Sequence, residues 1–462
     1  MNKYIFITQE SASLPIADRL QDEGNEVVVG IINDTEVKEN QDEKECRMSL
    51  YDNILDKQDA EQVMRWMRKL KDKDDWFLFF DYGDLWPWSE RALDMGFKKG
   101  IFPTEEGYDL EKDRQKGKAM VEEHYKHISV VPASEFKNIE EGIKFIEKQK
   151  DKIYVLKSEG SNAETVVPLT EDSDLAKKQI IGALLTEKEG YEKGGYTLEE
   201  KLLDAMEITP IMIFWNGKPL FSLVEFENKP LGSGNIGRLT GGCQGITIRT
   251  DLDCKLNDIA FPDIVYEMAK KQPGIGIYDA GLLFDGKKFF FTEYCAQRWG
   301  WDGIFEEIAM CREKKYDKMV SKHFDNIAAG KSPIVKTFGA SVRLFQTQPS
   351  SKKVKCYADG YTIDWTNEAA NQLFFYCIKQ EKDKKQTNDG EALHVSVGYQ
   401  KDLGVAVGSG DSFEEAVEET YKAAEAVAMT GLYYRPKFDF LSTDYITSIV
   451  NRWEWLKDSE LL

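Results

Sequence analysis

The chain has 462 residues and a formal net charge of −20, with 61 Lys and Arg against 81 Asp and Glu. This length exceeds one compact core, so we expect about three or four domains or subdomains. Hydrophobic residues make up 42% and charged residues 31%, which is typical of folded rather than disordered chains. Such an acidic surface repels phosphate backbones and anionic lipid, so we expect no nucleic-acid or membrane-surface role, although a local basic pocket could still bind a small anion.

The cysteines and the N-terminus indicate a cellular compartment. Seven cysteines are scattered along the chain without any Cys-x-x-Cys spacing, which is typical of reduced thiols and gives no structural zinc signature. No apolar run is long enough for a membrane span, and the N-terminus becomes polar too soon for a signal peptide. We therefore expect a cytoplasmic protein, either a monomer or a homodimer.

The N-terminal part, residues 1–105, alternates predicted strands with predicted helices. This alternation predicts a parallel, doubly wound sheet, whose ligands bind at the carboxyl ends of its strands. An acidic loop is expected at 34–45. We expect strands at 4–8, 27–32, 76–80 and 100–102, and helices after Ser13, over 63–70 and from Ser89 to Gly96.

The middle of the chain, from about 109 to 330, has an α+β pattern with antiparallel pairing. Asn216-Gly217 between two apolar runs predicts a tight hairpin turn, because both residues tolerate positive φ angles. A second hairpin is predicted from 275–284 to 288–293, around Asp285-Gly286.

The second hairpin carries two acidic residues, Asp279 and Glu293. A three-residue loop at 285–287 would place them directly opposite each other, with side chains starting about 5 Å apart. Carboxylates that close repel unless a cation lies between them, and one or two carboxylates with phosphate oxygens are the usual Mg²⁺ ligands in nucleotide sites. A solvated surface hairpin is the alternative, and a register slip of one residue would separate the pair.

Two further segments are candidates for anion binding. Lys157 ends a buried-looking strand before a small polar loop at 158–162, so it could reach phosphates; a surface lysine with a packed stem is the alternative. The run 232–245 contains six glycines, which let backbone N–H groups approach an anion. Long glycine-rich loops in compact domains are more often functional than merely flexible.

Taken in order, these segments resemble the ATP-grasp ligases, and among them the phosphoribosylamine–glycine ligases. The resemblance runs from about residue 2 to about residue 440. Its most specific pieces are Thr240-Gly241-Gly242, Ala280-Gly281-Leu282-Leu283 leading to Glu293-Tyr294, and the stretch from Leu403 to Asp411.

The resemblance implies a fold and a reaction. It implies ATP and Mg²⁺ (or Mn²⁺) as bound groups, and small-molecule carboxylate and amine substrates, first of all glycine and phosphoribosylamine, joined through an acyl phosphate. The alternatives are a ligase of the same fold with a different carboxylate and amine, or an inactive nucleotide-binding homologue. The implied domains are an α/β N-terminal domain at 1–108, an α+β ATP-grasp domain at 109–332 with a lid subdomain at 130–200, a small α+β C-terminal domain at 333–440 and a tail at 441–462.

The resemblance also implies roles for single residues. Asp279 and Glu293 match metal-binding carboxylates, and Arg298 matches an arginine that faces the transferred phosphoryl group. Thr240, Gly241 and Gly242 match a loop beside the acceptor carboxylate. Residues matched to the ATP site are Arg114, with Lys116 as the second choice for the same role, Lys157, Glu199, Glu200, Leu202 and Glu207.

Three departures from the family pattern concern the metal and the amine. Cys295 stands where the family has an asparagine metal ligand, and thiols are poor Mg²⁺ ligands. Thr8-Gln9-Glu10-Ser11 replaces a glycine-rich first turn, and Asp81-Tyr82-Gly83-Asp84 replaces Gly-Pro-Glu. Both of these segments would face the phosphoribosylamine, so the identity of the amine stays open.

Overall fold

A computed structural model describes most of the chain, in two compact units. The first unit comprises Met1–Tyr108, Thr209–Asp279 and Cys295–Leu462, and the second comprises Asp109–Ile208 and Ala280–Tyr294. The division into domains at 1–108, 109–332 and 333–440 stays a prediction. The described residues are 2–9, 12–33, 41–112, 114–158, 163, 165–168, 170–203, 205–296, 302–312, 318–347, 359–381, 393–399, 402–441 and 449–462.

The strands within these residues are, in chain order, β1 Lys3–Thr8, β2 Glu26–Ile31, β3 Lys57–Asp59, β4 Trp76–Phe80, β5 Gly100–Ile101, β6 Ile128–Val130, β7 Ala133–Phe136, β8 Tyr154–Ser158, β9 Tyr196–Glu200, β10 Met206–Trp215, β11 Lys218–Gly232, β12 Ile236–Thr250, β13 Ile275–Phe284, β14 Phe289–Ala296, β15 Phe338–Gln346, β16 Thr362–Trp365, β17 Leu373–Phe375, β18 Ile378–Gln380, β19 His394–Ser396, β20 Asp402–Gly410, β21 Val427–Met429 and β22 Leu432–Tyr433.

The helices are α1 Leu14–Asp22, α2 Gln41–Ser49, α3 Ala60–Met67, α4 Trp86–Asp94, α5 Glu105–Lys112, α6 Arg114–His124, α7 Ile139–Lys148, α8 Ser173–Thr186, α9 Lys188–Gly194, α10 Lys255–Ala260, α11 Asp263–Lys271, α12 Asp302–Ala309, α13 Met319–Ala328, α14 Phe413–Glu425 and α15 Ile449–Asp458. None of the helices in the described part of the chain combines the length and the apolar character that crossing a membrane requires.

The predicted parallel sheet of the N-terminal part is confirmed. Its strands run in the order β3-β2-β1-β4-β5, and each neighbouring pair is parallel. Strands β1 and β4, in the middle of this sheet, are apolar on both faces, as expected for a parallel sheet with helices on either side. Ile5, Leu78 and Phe80 from the strands pack with Val63 and Met64 from α3 in one buried cluster. Burial of each such side chain stabilises the fold by roughly 1.5–3 kcal/mol.

Three local expectations for this part differ from the structure. Helix α4 begins at Trp86 instead of Ser89, because Pro87 stands in its first turn, where proline has a suitable φ angle and no missing hydrogen bond. Residues 41–45, expected in an acidic loop, begin helix α2, and residues 34–40 lie outside the described part. Strand β3 was not predicted, because its three residues, Lys57–Asp59, are all polar.

Beyond β5 the same sheet continues in the order β13-β10-β11-β12-β15-β20-β17. Strand β13 is parallel to β5, and the neighbouring pairs from β10 to β17 are antiparallel. The predicted turn between β10 and β11 is confirmed, with Asn216 at φ 48° and Gly217 at φ 76°. The glycine-rich run 232–245 differs from its prediction as a loop. It is mostly strand β12, which pairs with β11 around a short turn at Ser233–Asn235.

The second unit is an α+β unit with its own apolar core. Strand β9 lies between β7 and β8 and is antiparallel to both. Its residues Tyr196 and Leu198 are buried with Leu156 from β8, Ile146 from α7 and Leu184 from α8. Strand β14 pairs in parallel with β6, which places Phe291 opposite Val130. The positions of α6, β8 and β9 in this unit determine the site described next.

Candidate functional site

One carboxylate of the second unit lies between two lysines. Glu199 accepts a hydrogen bond of 2.7 Å from Lys157 at Oε1 and one of 3.2 Å from Lys118 at Oε2. The side chains are 5% exposed for Glu199, 15% for Lys157 and 8% for Lys118. Burying a charged group costs free energy unless the group is paired with an opposite charge. Removal of Glu199 would therefore leave both lysines buried without this partner. With all three ionised, the cluster has a net positive charge.

Strand geometry explains why Lys157 meets Glu199. In the β8–β9 ladder Val155 is opposite Glu199, and Lys157 is opposite Thr197. Side chains two residues apart on a strand share a face, so Lys157 points to the same side as Glu199. The predicted strand end at Lys157 is confirmed to within one residue, since β8 ends at Ser158.

Helix α6 brings the second lysine. Lys118 and Val121 are both buried, and a spacing of three places them on one helical face. Gly117 lies close to α5, because a Cβ there would stand 3.3 Å from the carbonyl oxygen of Leu110, which is tighter than most such contacts. Sequence reasoning selected Arg114 and Lys116 from this segment and missed Lys118. The spacing of Lys118 to Val121 was the signal that could have identified it.

The other two basic residues of α6 differ from Lys118. Lys116 is 57% exposed and forms an ion pair with Asp109 at the surface. Arg114 is the first residue of α6, and its side chain lies outside the described part of the structure. The roles predicted for Arg114 and Lys116 at the ATP site remain untested predictions.

The remaining residues matched to the ATP site follow Glu199 along the chain. Glu200 ends β9 and forms an ion pair of 2.5 Å with Lys152, and its backbone N–H donates to the carbonyl of Pro132. Leu202 and Glu207 are partly buried, Glu207 being the second residue of β10. These three residues therefore lie at or just beyond the end of the strand that carries Glu199.

The turn of the second hairpin differs from the prediction. Strand β13 ends at Phe284 and β14 begins at Phe289, so residues 285–288 form the connection instead of 285–287. Oδ1 of Asp285 accepts hydrogen bonds of 2.8 Å from the N–H groups of both Lys287 and Lys288. These bonds lower the pKa of Asp285 and stabilise the longer connection.

This turn changes the expected register. The rings of Phe284 and Phe289 are 4.9 Å apart, and the Thr292 hydroxyl donates to the carbonyl of Gly281 over 2.9 Å. The prediction of a three-residue loop was therefore wrong. The argument that Asp279 and Glu293 are directly opposed depended on that loop, so it is wrong as well. Asp279 belongs to the first unit and Glu293 to the second, and their assignment as metal ligands stays a prediction.

Thr240, Gly241 and Gly242 lie in an irregular part of the β11–β12 ladder, not in a loop. Asn228 pairs with Gln244 and Pro230 with Leu239, so Lys229 alone faces residues 240–243. The Thr240 hydroxyl donates to the carbonyl of Lys229 over 2.8 Å. Extra residues in one strand redirect its side chains, and such bulges are frequent beside active sites.

A buried arginine, which the sequence did not single out, lies against this irregular segment. A Cβ built on Gly241 would stand 3.1 Å from Nη1 of Arg343, so only glycine allows this approach without a shift. The same Nη1 forms an ion pair of 3.0 Å with Asp402. The segment matched to the acceptor carboxylate therefore has a cation beside it.

The carboxyl ends of β1 and β4 meet at a second buried carboxylate, that of Asp81. Its Oδ2 accepts hydrogen bonds from the Thr8 hydroxyl, from the Ser13 N–H at 3.2 Å and from the Ser13 hydroxyl at 3.0 Å. Thr8, Ser13 and Asp81 are all fully buried. A protein carboxylate thus occupies the edge where the sequence analysis expected the amine substrate.

Several predicted features lie outside the described residues. These are Arg298 and the loop residues Gly160, Ser161 and Asn162. Cys295 belongs to β14, but its side chain is also outside the described part.

Comparisons with known proteins give one related sequence and a shared fold. No protein-family model matches the chain. A phosphoribosylamine–glycine ligase of Fusobacterium nucleatum is 23% identical over 351 residues, which cover 72% of this chain and 76% of the relative. The phosphoribosylamine–glycine ligase structure from Thermotoga maritima has a TM-score of 0.61 at 16% identity, over 94% of this chain and 99% of that one. Biotin carboxylase from Campylobacter jejuni has a TM-score of 0.55 at 15% identity, over 95% and 94% of the two chains. The chain thus resembles phosphoribosylamine–glycine ligase in sequence and has the ATP-grasp fold that this enzyme shares with biotin carboxylase.

Proposed function

We propose that the chain is an ATP-dependent carbon–nitrogen ligase that joins a carboxylate to an amine, with glycine and phosphoribosylamine as the first substrates to test. The observation that carries the proposal is the pair of lysines, Lys118 and Lys157, held by Glu199. Two ammonium groups held by one carboxylate can contact phosphate oxygens. Because the two lysine side chains are already ordered, little conformational entropy is lost when a nucleotide binds.

The reaction follows from the poor reactivity of carboxylates toward amines. A carboxylate is anionic and has no good leaving group. Transfer of the γ-phosphoryl group of ATP to the carboxylate forms an acyl phosphate and ADP, and attack by the amine then releases phosphate and leaves an amide. Lys118 and Lys157 are proposed to offset the negative charge of the phosphates during the transfer.

Glu293 and Asp279 are the proposed ligands of a divalent cation. Glu293 is partly exposed, so its carboxylate is accessible to a cation. Carboxylate oxygens suit Mg²⁺ and Mn²⁺, whereas the thiol of Cys295 does not. A bound Mg²⁺ would supply charge neutralisation for the phosphates.

For the carboxylate substrate, we propose the irregular segment Thr240-Gly241-Gly242. Its supporting observation is the approach of Arg343 to Gly241. A guanidinium group forms paired hydrogen bonds with carboxylates, which suits glycine as the acceptor. The ion pair of Arg343 with Asp402 would fix the orientation of the guanidinium group.

A second candidate, with the same chemistry but another amine, is favoured by Asp81. A substrate phosphate at the carboxyl ends of β1 and β4 would need N–H and O–H donors, and those of Thr8 and Ser13 already donate to Asp81. The buried carboxylate would also repel a phosphate. This arrangement favours an amine without a phosphate group.

The test is phosphate release from ATP by the purified chain, with the product identified by mass spectrometry. Release that requires glycine and phosphoribosylamine supports the first substrate pair. Release with other amines, and not with phosphoribosylamine, supports the second candidate. ATP binding without turnover over a broad panel of carboxylates and amines contradicts the ligase proposal and favours an inactive homologue.

A further inference from the structure

A cavity of about 330 Å³ lies within the first unit, and none of the residues of the candidate functional site lines it. Helix α1 forms one side of it through Asp18 and Asp22. Three aromatic residues, Tyr51, Trp365 and Phe375, line its other sides. The volume is at the lower end of the range for small-molecule sites.

Most of the hydrogen-bond donors around this cavity already have acceptors in the protein, and Nη1 of Arg19 donates to the side chain of Asn371 over 2.7 Å. Arg19 donates to the carbonyl of Leu373 over 3.1 Å, and Asn53 donates to that of Gln380 over 2.7 Å. The Tyr51 hydroxyl likewise donates to a backbone carbonyl, that of Phe375. An anionic ligand would need such donors for itself, so the walls do not suit one.

Asp18 and Asp22 are the acidic groups of the lining, and Asp18 is the less exposed of the two. Within the described part of the chain its carboxylate has neither a hydrogen bond nor an ion pair at contact distance, although Arg19 and Asp22 act on it electrostatically. Burial raises the pKa of Asp18 to about 7, with a further contribution from the charge of Asp22 and an opposing one from Arg19. A carboxylate in this situation gains from an added positive charge more than an exposed one does.

The aromatic wall suits the rest of such a ligand. The Trp365 ring lies 4.8 Å from the ring of Phe375 and 4.7 Å from that of His394. The faces of aromatic rings attract cations, most strongly for tryptophan, and they also bury methyl and methylene groups.

We propose that this cavity binds a small organic cation, with Asp18 as its charge partner and the rings of Trp365 and Phe375 around its apolar groups. The proposal is independent of the ligase chemistry, because the cavity shares no residue with the candidate functional site.

Choline and its neutral carbon analogue 3,3-dimethylbutan-1-ol test the proposal, since the two have nearly the same shape and differ in charge. Titration calorimetry on the full chain at pH 8 would compare their affinities. We expect choline to bind at least about 10-fold more tightly than the alcohol. Equal affinities, or no choline binding at millimolar concentration, would overturn the proposal without any variant being made.

Variants locate the site. Asp18→Asn is expected to reduce choline affinity about 10-fold or more and to leave the binding of the alcohol unchanged, because only the cation uses the charge. Asp94→Asn is the matched control, an exposed carboxylate at the end of α4 that does not line the cavity. An unchanged choline affinity in Asp18→Asn, or an equal loss in Asp94→Asn, would show that choline binds elsewhere.

Discussion

Glu199 accepts a hydrogen bond of 2.7 Å from Lys157, which lies two residues beyond its cross-strand neighbour Val155. The other oxygen of the same carboxylate contacts Lys118, a residue of a different element. One buried acid thus pairs with two lysines, and this arrangement leads to the first two predictions.

Lys157→Met and Lys118→Met are each expected to lower kcat/KM for ATP about 100-fold, because each removes a positive charge from the phosphate site. Lys116→Met is expected to change kcat/KM for ATP less than about 3-fold, since Lys116 is exposed and pairs with Asp109. Steady-state kinetics at varied ATP concentration measure both. Should Lys116→Met be as impaired as Lys118→Met, the choice of Lys118 over Lys116 would be wrong.

Glu199→Gln is expected to destabilise the second unit by about 3–5 kcal/mol, because two buried ammonium groups lose their common partner. ATP should then raise the melting temperature of this variant more than that of the unaltered chain, since phosphate oxygens replace the missing charge. Thermal melts with and without ATP measure the difference. A smaller ATP effect in the variant would indicate that the Glu199 side chain binds the nucleotide directly.

Glu293→Gln is expected to abolish turnover and to leave the fold intact, because the neutral amide is a much weaker ligand for Mg²⁺. Phosphate release at increasing Mg²⁺ concentration would measure this, with circular dichroism as the check of folding. Glu267→Gln, an exposed residue of α11, is the control and should be fully active. Normal turnover in Glu293→Gln would remove Glu293 from the metal site.

Asp18 gives a prediction about pH and stability. Its pKa is about 7 in the folded chain against 3.8 for an ordinary aspartate, so the unfolded chain releases the proton first as pH rises. Asp18 should therefore reduce the free energy of unfolding progressively between about pH 4 and pH 7, by up to roughly 4 kcal/mol above that range. The charged and titratable groups near it are Arg19, Asp22, Tyr51 and His394.

Urea unfolding at pH 4 and pH 8 measures this effect. Asp18→Asn should be more stable than the unaltered chain at pH 8 and nearly equal to it at pH 4. Asp94→Asn should show no such dependence on pH, because Asp94 is exposed. A constant difference between Asp18→Asn and the unaltered chain at both pH values would contradict the raised pKa.

Cys311 is expected to be inert despite its neighbours. Its Sγ lies 3.2 Å from Nδ1 of His323, and Nε2 of His323 lies 3.0 Å from Glu307. The same succession of thiol, imidazole and carboxylate occurs in enzymes that use a cysteine nucleophile. All three side chains are buried, and burial raises the pKa of the Cys311 thiol, so little reactive thiolate forms. Alkylation of the folded chain with mass-spectrometric mapping should modify the half-buried Cys46 well before Cys311. Equal rates would contradict this.

Local patterns were sufficient where the signal lies within one element. The apolar runs predicted strands β1, β2 and β4, and their alternation with helices predicted that these strands pair in parallel. In a parallel sheet helices cover both faces, so its strands are apolar on both faces. Asn216-Gly217 predicted the first hairpin turn, because few other residue pairs adopt its backbone angles.

The second hairpin shows where such patterns fail. Its turn residues were identified, but its register depends on Asp285, whose side chain accepts two backbone N–H groups and adds one residue to the connection. A difference of one residue in the length of the connection shifts the pairing of all the residues that follow it. The small error in the predicted turn therefore removed the predicted opposition of Asp279 and Glu293.

By itself the sequence determined that the N-terminal part forms a parallel sheet of alternating strands and helices, and that Lys157 lies at the end of a strand. Only the tertiary structure decided that Lys118 is the lysine that meets Glu199, that Asp81 closes the edge beside Thr8 and that Arg343 lies against Gly241. The physical reason is that periodicity and turn chemistry act between near neighbours in the chain. Partners for buried charges come from elements far apart in the sequence, and their choice depends on how those elements pack.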